Sequence, residues 1–81
     1  MQVRLRFFAA LREQLGTRAV RSVPAGTTAG ALWEALIAET PGVGAVQVRI
    51  AVNERYVEAG HRLAEGDEVA FFPPVSGGAG R

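Results

Sequence analysis

The sequence has no cysteine and no lysine, a single histidine, and no apolar run that approaches a membrane span. Without cysteine there is no disulfide, no thiolate zinc site and no cysteine nucleophile, a composition suited to a reducing compartment. All nine basic side chains are arginine, so the chain cannot accept an isopeptide bond through a side chain of its own. Arg4 and Arg6 interrupt the first apolar stretch, which therefore lacks the core of a signal peptide. A cytoplasmic location with no membrane attachment is expected. The net charge of +1 is too near neutral to argue for nucleic acid. The eight carboxylates are scattered, and neither a phosphate-binding glycine loop nor a metal-ligand cluster is present. His61, within Gly60-His61-Arg62, reads as a residue of a solvated loop rather than an acid–base catalyst. With no catalytic constellation in the domain, the chain is expected to be a substrate and not an enzyme.

What is present is a small set of periodic segments. Gln2 to Phe8 alternates, with Val3, Leu5 and Phe7 on one face and Arg4, Arg6 and Phe8 on the other, as a strand with one buried face requires. Ala9 to Leu15 reads as a short helical turn closed by Gly16. Thr17 to Val23 is a strand whose alternation is too weak to assign faces. Thr28 suits an N-cap, and Ala29, Leu32, Trp33, Leu36 and Ile37 then follow on one helical face until Pro41-Gly42. Ala45 to Val52 alternates with Val46, Val48, Ile50 and Val52 inward, and Asn53-Glu54-Arg55 turns the chain into Tyr56-Val57. The order β, β, α, β, short β, β in 81 residues implies an α+β domain with one main helix on one face of a mixed sheet of four to five strands.

The last segment carries the functional argument. Glu65-Gly66-Asp67 is a turn signal, and Glu68 to Phe72 is an apolar, partly aromatic strand. Pro73-Pro74 cannot continue a ladder. Val75 to Gly78 is expected to leave the domain as a tail, with residues 1–75 forming the domain and 76–81 a flexible extension. A Gly-Gly pair buries nothing and costs conformational entropy, so folding gains little from it, whereas a partner with a narrow channel gains a backbone that no Cβ obstructs. Parity adds a surface beside the tail. If Val69 and Phe71 face the helix, Phe8 and Phe72 face away, and Tyr56, opposite in parity to Val57, joins them. Phe8, Tyr56 and Phe72 are therefore expected to form a partner-binding face. Arg4, Arg6 and Arg49 on that side either steer an acidic partner or are its solvated border.

Phe7-Phe8-Ala9, Leu11-Arg12-Glu13, Gly16, Ala51-Val52-Asn53, Leu63 and the whole run Gly66 to Gly78 resemble the small subunit of molybdopterin synthase, the MoaD family of sulfur carriers. The resemblance implies a β-grasp, or ubiquitin-like, fold in which the first and last strands lie side by side. It also implies that an adenylating (MoeB-like) enzyme activates the carboxylate of Gly78 with Mg-ATP. A sulfur donor then converts it to a thiocarboxylate, which supplies sulfur to cyclic pyranopterin monophosphate. No cofactor is expected to be bound by the carrier itself. The implied partner-binding residues are Phe8, Tyr56, Phe72, Pro73, Pro74, Val75, Ser76 and Gly77, docking on the large (MoaE-like) synthase subunit. Ala79-Gly80-Arg81 follow Gly78, a departure from the family pattern that is explained by a processing protease that removes them before activation, by an added extension, or by a relative that no longer carries sulfur. The alternatives are a ubiquitin-like protein modifier, a carrier for tRNA thiolation or thiazole synthesis, and a plain interaction module with an inert tail.

Overall fold

The computed structural model describes residues 1–43 and 47–73. Alternation in the first segment is realised as β1 (Gln2–Phe7), which buries Val3, Leu5 and Phe7 and exposes or half-exposes Gln2, Arg4 and Arg6. Ala9 has a φ of 55°, which ends the extended backbone and delays helix α1 to Leu11–Leu15, two residues later than the pattern predicts. β2 (Arg18–Ser22) pairs antiparallel with β1, Leu5 opposite Ala19 and Val3 opposite Arg21. The pattern of β2 is illegible for a structural reason. Its helix-side residues are Ala19 and Arg21, while its one large apolar residue, Val20, points outward and is 66% exposed.

Helix α2 (Ala29–Glu39) begins where Thr28 accepts a hydrogen bond from the Ala31 N–H at 3.1 Å. Two more first-turn donors are satisfied from one loop: Ala29 N–H donates to the His61 carbonyl and Gly30 N–H to the Ala59 carbonyl, both at 2.9 Å. That leaves few orphan groups at the helix start. His61 itself is exposed and contributes its backbone.

β3 (Arg49–Val52) and β4 (Arg55–Val57) form a hairpin. Its turn is Asn53-Glu54, with φ of 51° and 72°, so Arg55 belongs to β4 and not to the turn as expected. Positive φ at both central positions is the turn that matches strand twist. β3 is also shorter than the predicted Ala45 to Val52. Arg49 pairs with Phe72, the last residue of β5 (Glu68–Phe72), and the next partner in register is Pro73, which has no N–H to give. Val48 is half-buried beyond the strand, and Val46 lies outside the described residues.

The five strands are ordered β2-β1-β5-β3-β4, with β1 and β5 parallel and the other pairs antiparallel. Leu32 and Leu36 of α2 are buried against the sheet with Val3, Leu5, Phe7, Val69 and Phe71. Phe71 is fully buried, its ring 5.6 Å from Phe7 and 5.3 Å from Trp33. At the approach to β5, Gly66 adopts a φ of 82° and donates to the Gln2 carbonyl at 2.7 Å. Asp67 then accepts from Asn53 Nδ2 at 2.9 Å and from the Ala64 N–H at 2.8 Å, while Asn53 Oδ1 accepts the Glu68 N–H at 3.1 Å. This exchange fastens the β3–β4 turn to the start of β5. Among the described residues no helix is long and apolar enough to cross a membrane.

Candidate partner-docking face

The face of the sheet opposite α2 is built from the residues that alternate against the core. Phe72 follows the buried Phe71 and so points outward, and Phe8, one residue past β1, does the same. Their rings stack with centroids 4.5 Å apart and planes inclined by 12°. Tyr56, 60% exposed, meets Phe72 edge-on at 5.9 Å. The geometry that parity predicts for Phe8, Tyr56 and Phe72 is thus present.

The row continues at both ends. Arg6 lies over the Phe8 ring at 5.0 Å and Arg49 over the Tyr56 ring at 4.2 Å. Five side chains, Arg6, Phe8, Phe72, Tyr56 and Arg49, therefore form one ladder with a guanidinium at each end. Each arginine–ring contact uses the negative face of the π system, leaving the outward guanidinium edge able to donate hydrogen bonds. Below the rings, Ala51 and Ala70 pair across β3 and β5 and floor a hollow of about 290 Å³. Two small residues there leave room for an apolar group of another molecule, and Glu54 and Glu68 line its polar side. The small floor escaped the sequence reading, although Ala51 and Ala70 share the outward parity of Phe72.

Pro73 is half-buried at the end of β5. Pro74, Val75, Ser76, Gly77 and Gly78 lie outside the described residues, as does the expected domain boundary after residue 75. Arg18 and Val20, whose strand faces were left unassigned, stand on the outer side of the sheet, since they pair with Arg6 and Arg4.

A mixed sheet with parallel first and last strands, one long helix across one face and an aromatic opposite face defines a ubiquitin-like β-grasp domain. Residues 5–78 match the ThiS family, a stretch that closes on Gly78, and the chain belongs to that family. It is 38% identical over 80 residues to the molybdopterin synthase sulfur carrier subunit of Escherichia coli, covering 94% of this chain and 99% of that protein. It is 40% identical over 83 residues to the human protein of the same name, covering 95% and 94%. Among solved structures, small archaeal modifier protein 1 of Haloferax volcanii superposes with a TM-score of 0.79 at 27% identity, covering 91% of this chain and 98% of that one. A chain from the complex of subunits 1 and 2 of the molybdopterin-converting factor of Helicobacter pylori superposes with a TM-score of 0.67 at 25% identity, covering 95% and 99%.

Proposed function

We propose that this chain is the sulfur-carrying small subunit of a molybdopterin synthase. The observation that carries the reading is the ladder Arg6–Phe8–Phe72–Tyr56–Arg49, whose central residue, Phe72, ends the strand that leads directly to Pro73-Pro74-Val75-Ser76-Gly77-Gly78. An outward-facing aromatic row, with Tyr56 exposed and Phe8 and Phe72 half-buried, next to a glycine tail serves a carrier that docks by its domain and delivers by its end. The similarity to a subunit of the Helicobacter pylori complex supports a second synthase subunit as the docking partner.

The chemistry belongs to the tail and to partner enzymes. A carboxylate on Gly78, exposed by removal of residues 79–81, attacks the α-phosphate of Mg-ATP on an activating enzyme and releases pyrophosphate. The resulting acyl-adenylate has a good leaving group, and a sulfur donor displaces AMP to leave a thiocarboxylate. Within the synthase that sulfur attacks a carbon of cyclic pyranopterin monophosphate and displaces an oxygen substituent from it, leaving Gly78 joined to the pterin as a thioester. Water then cleaves the thioester at the Gly78 carbonyl, which restores the carboxylate and leaves the sulfur on the pterin, and two such exchanges of oxygen for sulfur complete a dithiolene.

The test compares the 81-residue chain with one ending at Gly78. Given the cognate activating enzyme, Mg-ATP and a sulfur donor, the shorter chain should gain the mass of one oxygen exchanged for sulfur, and the longer one should not. Gly78→Ala in the shorter chain should lose most of this activity, because the added Cβ obstructs a glycine-width channel and restricts the backbone. Equal thiocarboxylation of both lengths would overturn the assignment of Gly78. The likeness to an archaeal modifier protein favours one second reading, conjugation of Gly78 to lysines of other proteins. Isopeptide-linked conjugates in place of sulfur transfer to the pterin would establish it.

A further inference from the structure

The outer face of the sheet has a second half, over β1 and β2. There Arg6 stands directly opposite Arg18, and Arg4 opposite Val20. Cross-strand partners share a face with Cβ atoms about 5 Å apart, and like charges so placed destabilise a sheet. Among the described residues the one ion pair is Arg21 with Glu39, on the helix side, so no carboxylate neutralises Arg6 or Arg18. Arg4 stands opposite Glu68 across β1 and β5 and makes a long 3.4 Å contact with the Gly66 carbonyl, so the uncompensated pair of the strip is Arg6 with Arg18. With the exposed Val20 these arginines surround a hollow of about 330 Å³ at the edge of the sheet, in which Glu68 is the one acid. A chain of net charge +1 has thus gathered three cations in one strip, two of them, Arg6 and Arg18, at a cost to its own sheet.

We propose that Arg4, Arg6 and Arg18 form a carboxylate-reading strip for the protein that docks on the aromatic ladder. The partner presents acidic side chains opposite β1 and β2 and an apolar group to the hollow over Ala51 and Ala70. This rests on the reading of the ladder as a docking surface and adds what the partner must look like. A carboxylate placed between Arg6 and Arg18 removes their repulsion and accepts from both, so the unfavourable pair of the free domain becomes a favourable one in the complex. Arg6 belongs to both halves, since it also stacks on Phe8, and it registers the charged contact against the apolar one. The strip governs encounter and orientation, while the ladder governs residence. Three cations are too few to hold a nucleic-acid backbone and sit beside an apolar surface, which favours a protein partner.

The experiment measures association and dissociation of the full chain with the purified cognate second synthase subunit across a sodium chloride series. Arg18→Glu should slow association by about tenfold at low salt and flatten its salt dependence, with dissociation changed far less. The same variant should melt slightly higher than wild type, because it replaces the Arg6–Arg18 repulsion with an attraction. Loss of binding with gain of stability separates partner reading from any structural role. Arg62→Glu, the same charge change next to the start of α2, should leave association near wild type. If Arg18→Glu associates like wild type, or no more slowly than Arg62→Glu, the strip is overturned. Phe72→Ala in the same assay tests the underlying reading. Faster dissociation there with unchanged Arg18→Glu kinetics overturns the strip alone, whereas Phe72→Ala with unchanged binding overturns the docking face and the proposal built on it.

Discussion

Phe71 and Phe72 are chemically identical neighbours with opposite environments. Phe71 is fully buried between Phe7 and Trp33, and Phe72 stacks on Phe8 at the surface. Phe71→Ala should cost about 3–5 kcal/mol of stability, seen as a large fall in melting temperature. Phe72→Ala should keep the fold and weaken binding of the second subunit by more than about 2 kcal/mol, measured by titration calorimetry. This pair was legible from the sequence because a strand of period two leaves only one way to divide its residues. Gly30 was not. The helical pattern marks it as a weak point of α2, yet a Cβ built there lies 2.8 Å from the Ala59 Cβ and 3.1 Å from the Ala59 carbonyl oxygen. Gly30→Ala should therefore lower the melting temperature even though alanine is favoured over glycine in helices by about 1 kcal/mol. Adding Ala59→Gly should recover part of the loss, since the nearest clash is with that side chain.

Between elements, the tie most exposed to solution conditions is Arg21 of β2 with Glu39 at the end of α2, where Arg21 Nη1 donates to Glu39 Oε1 at 2.8 Å. A carboxylate is poorly placed at a helix C-terminus, and the guanidinium compensates. The hydrogen bond from Arg21 holds the Glu39 carboxyl below its ordinary value. A group whose folded pKa is depressed adds stability above its unfolded pKa, about 4.3 for glutamate, and loses it as pH falls through the lower folded value. Glu39→Gln should accordingly melt slightly below wild type at neutral pH, with the difference vanishing in acid, as calorimetric scans across pH would show. The effect is small because the pair is solvent-exposed. No periodicity reveals this contact, because Arg21 occupies a position where the alternation of β1 and β5 puts apolar residues. On the inner side of β2, Arg21 meets the end of α2 through the Glu39 carboxylate and not through an apolar contact, and Val20 is left on the outer side. That inversion is why the faces of β2, and with them Arg18, could not be read in advance.

At the scale of the molecule, the α+β class, the main helix and the outward aromatics follow from spacing, while the pairing of the first and last strands follows from resemblance and the rest of the strand order from neither. The polar exchange of Asn53 and Asp67 joins residues 14 apart across a turn, a link that depends on which strands are neighbours and so has no local signature. The strand order has a mechanical consequence for a carrier. β5 is flanked by β1 on one side and β3 on the other, so Pro73 hangs from the middle of the sheet and not from a rim. Ladder bonds run across the strands, so a pull along β5 strains both rows of bonds together in shear. A tail attached to an edge strand would instead peel it away one bond at a time. Whatever draws residues beyond Pro73 into a confined space therefore tugs on the best-anchored part of the domain, and the tension reaches the aromatic ladder through Phe72 without unravelling it.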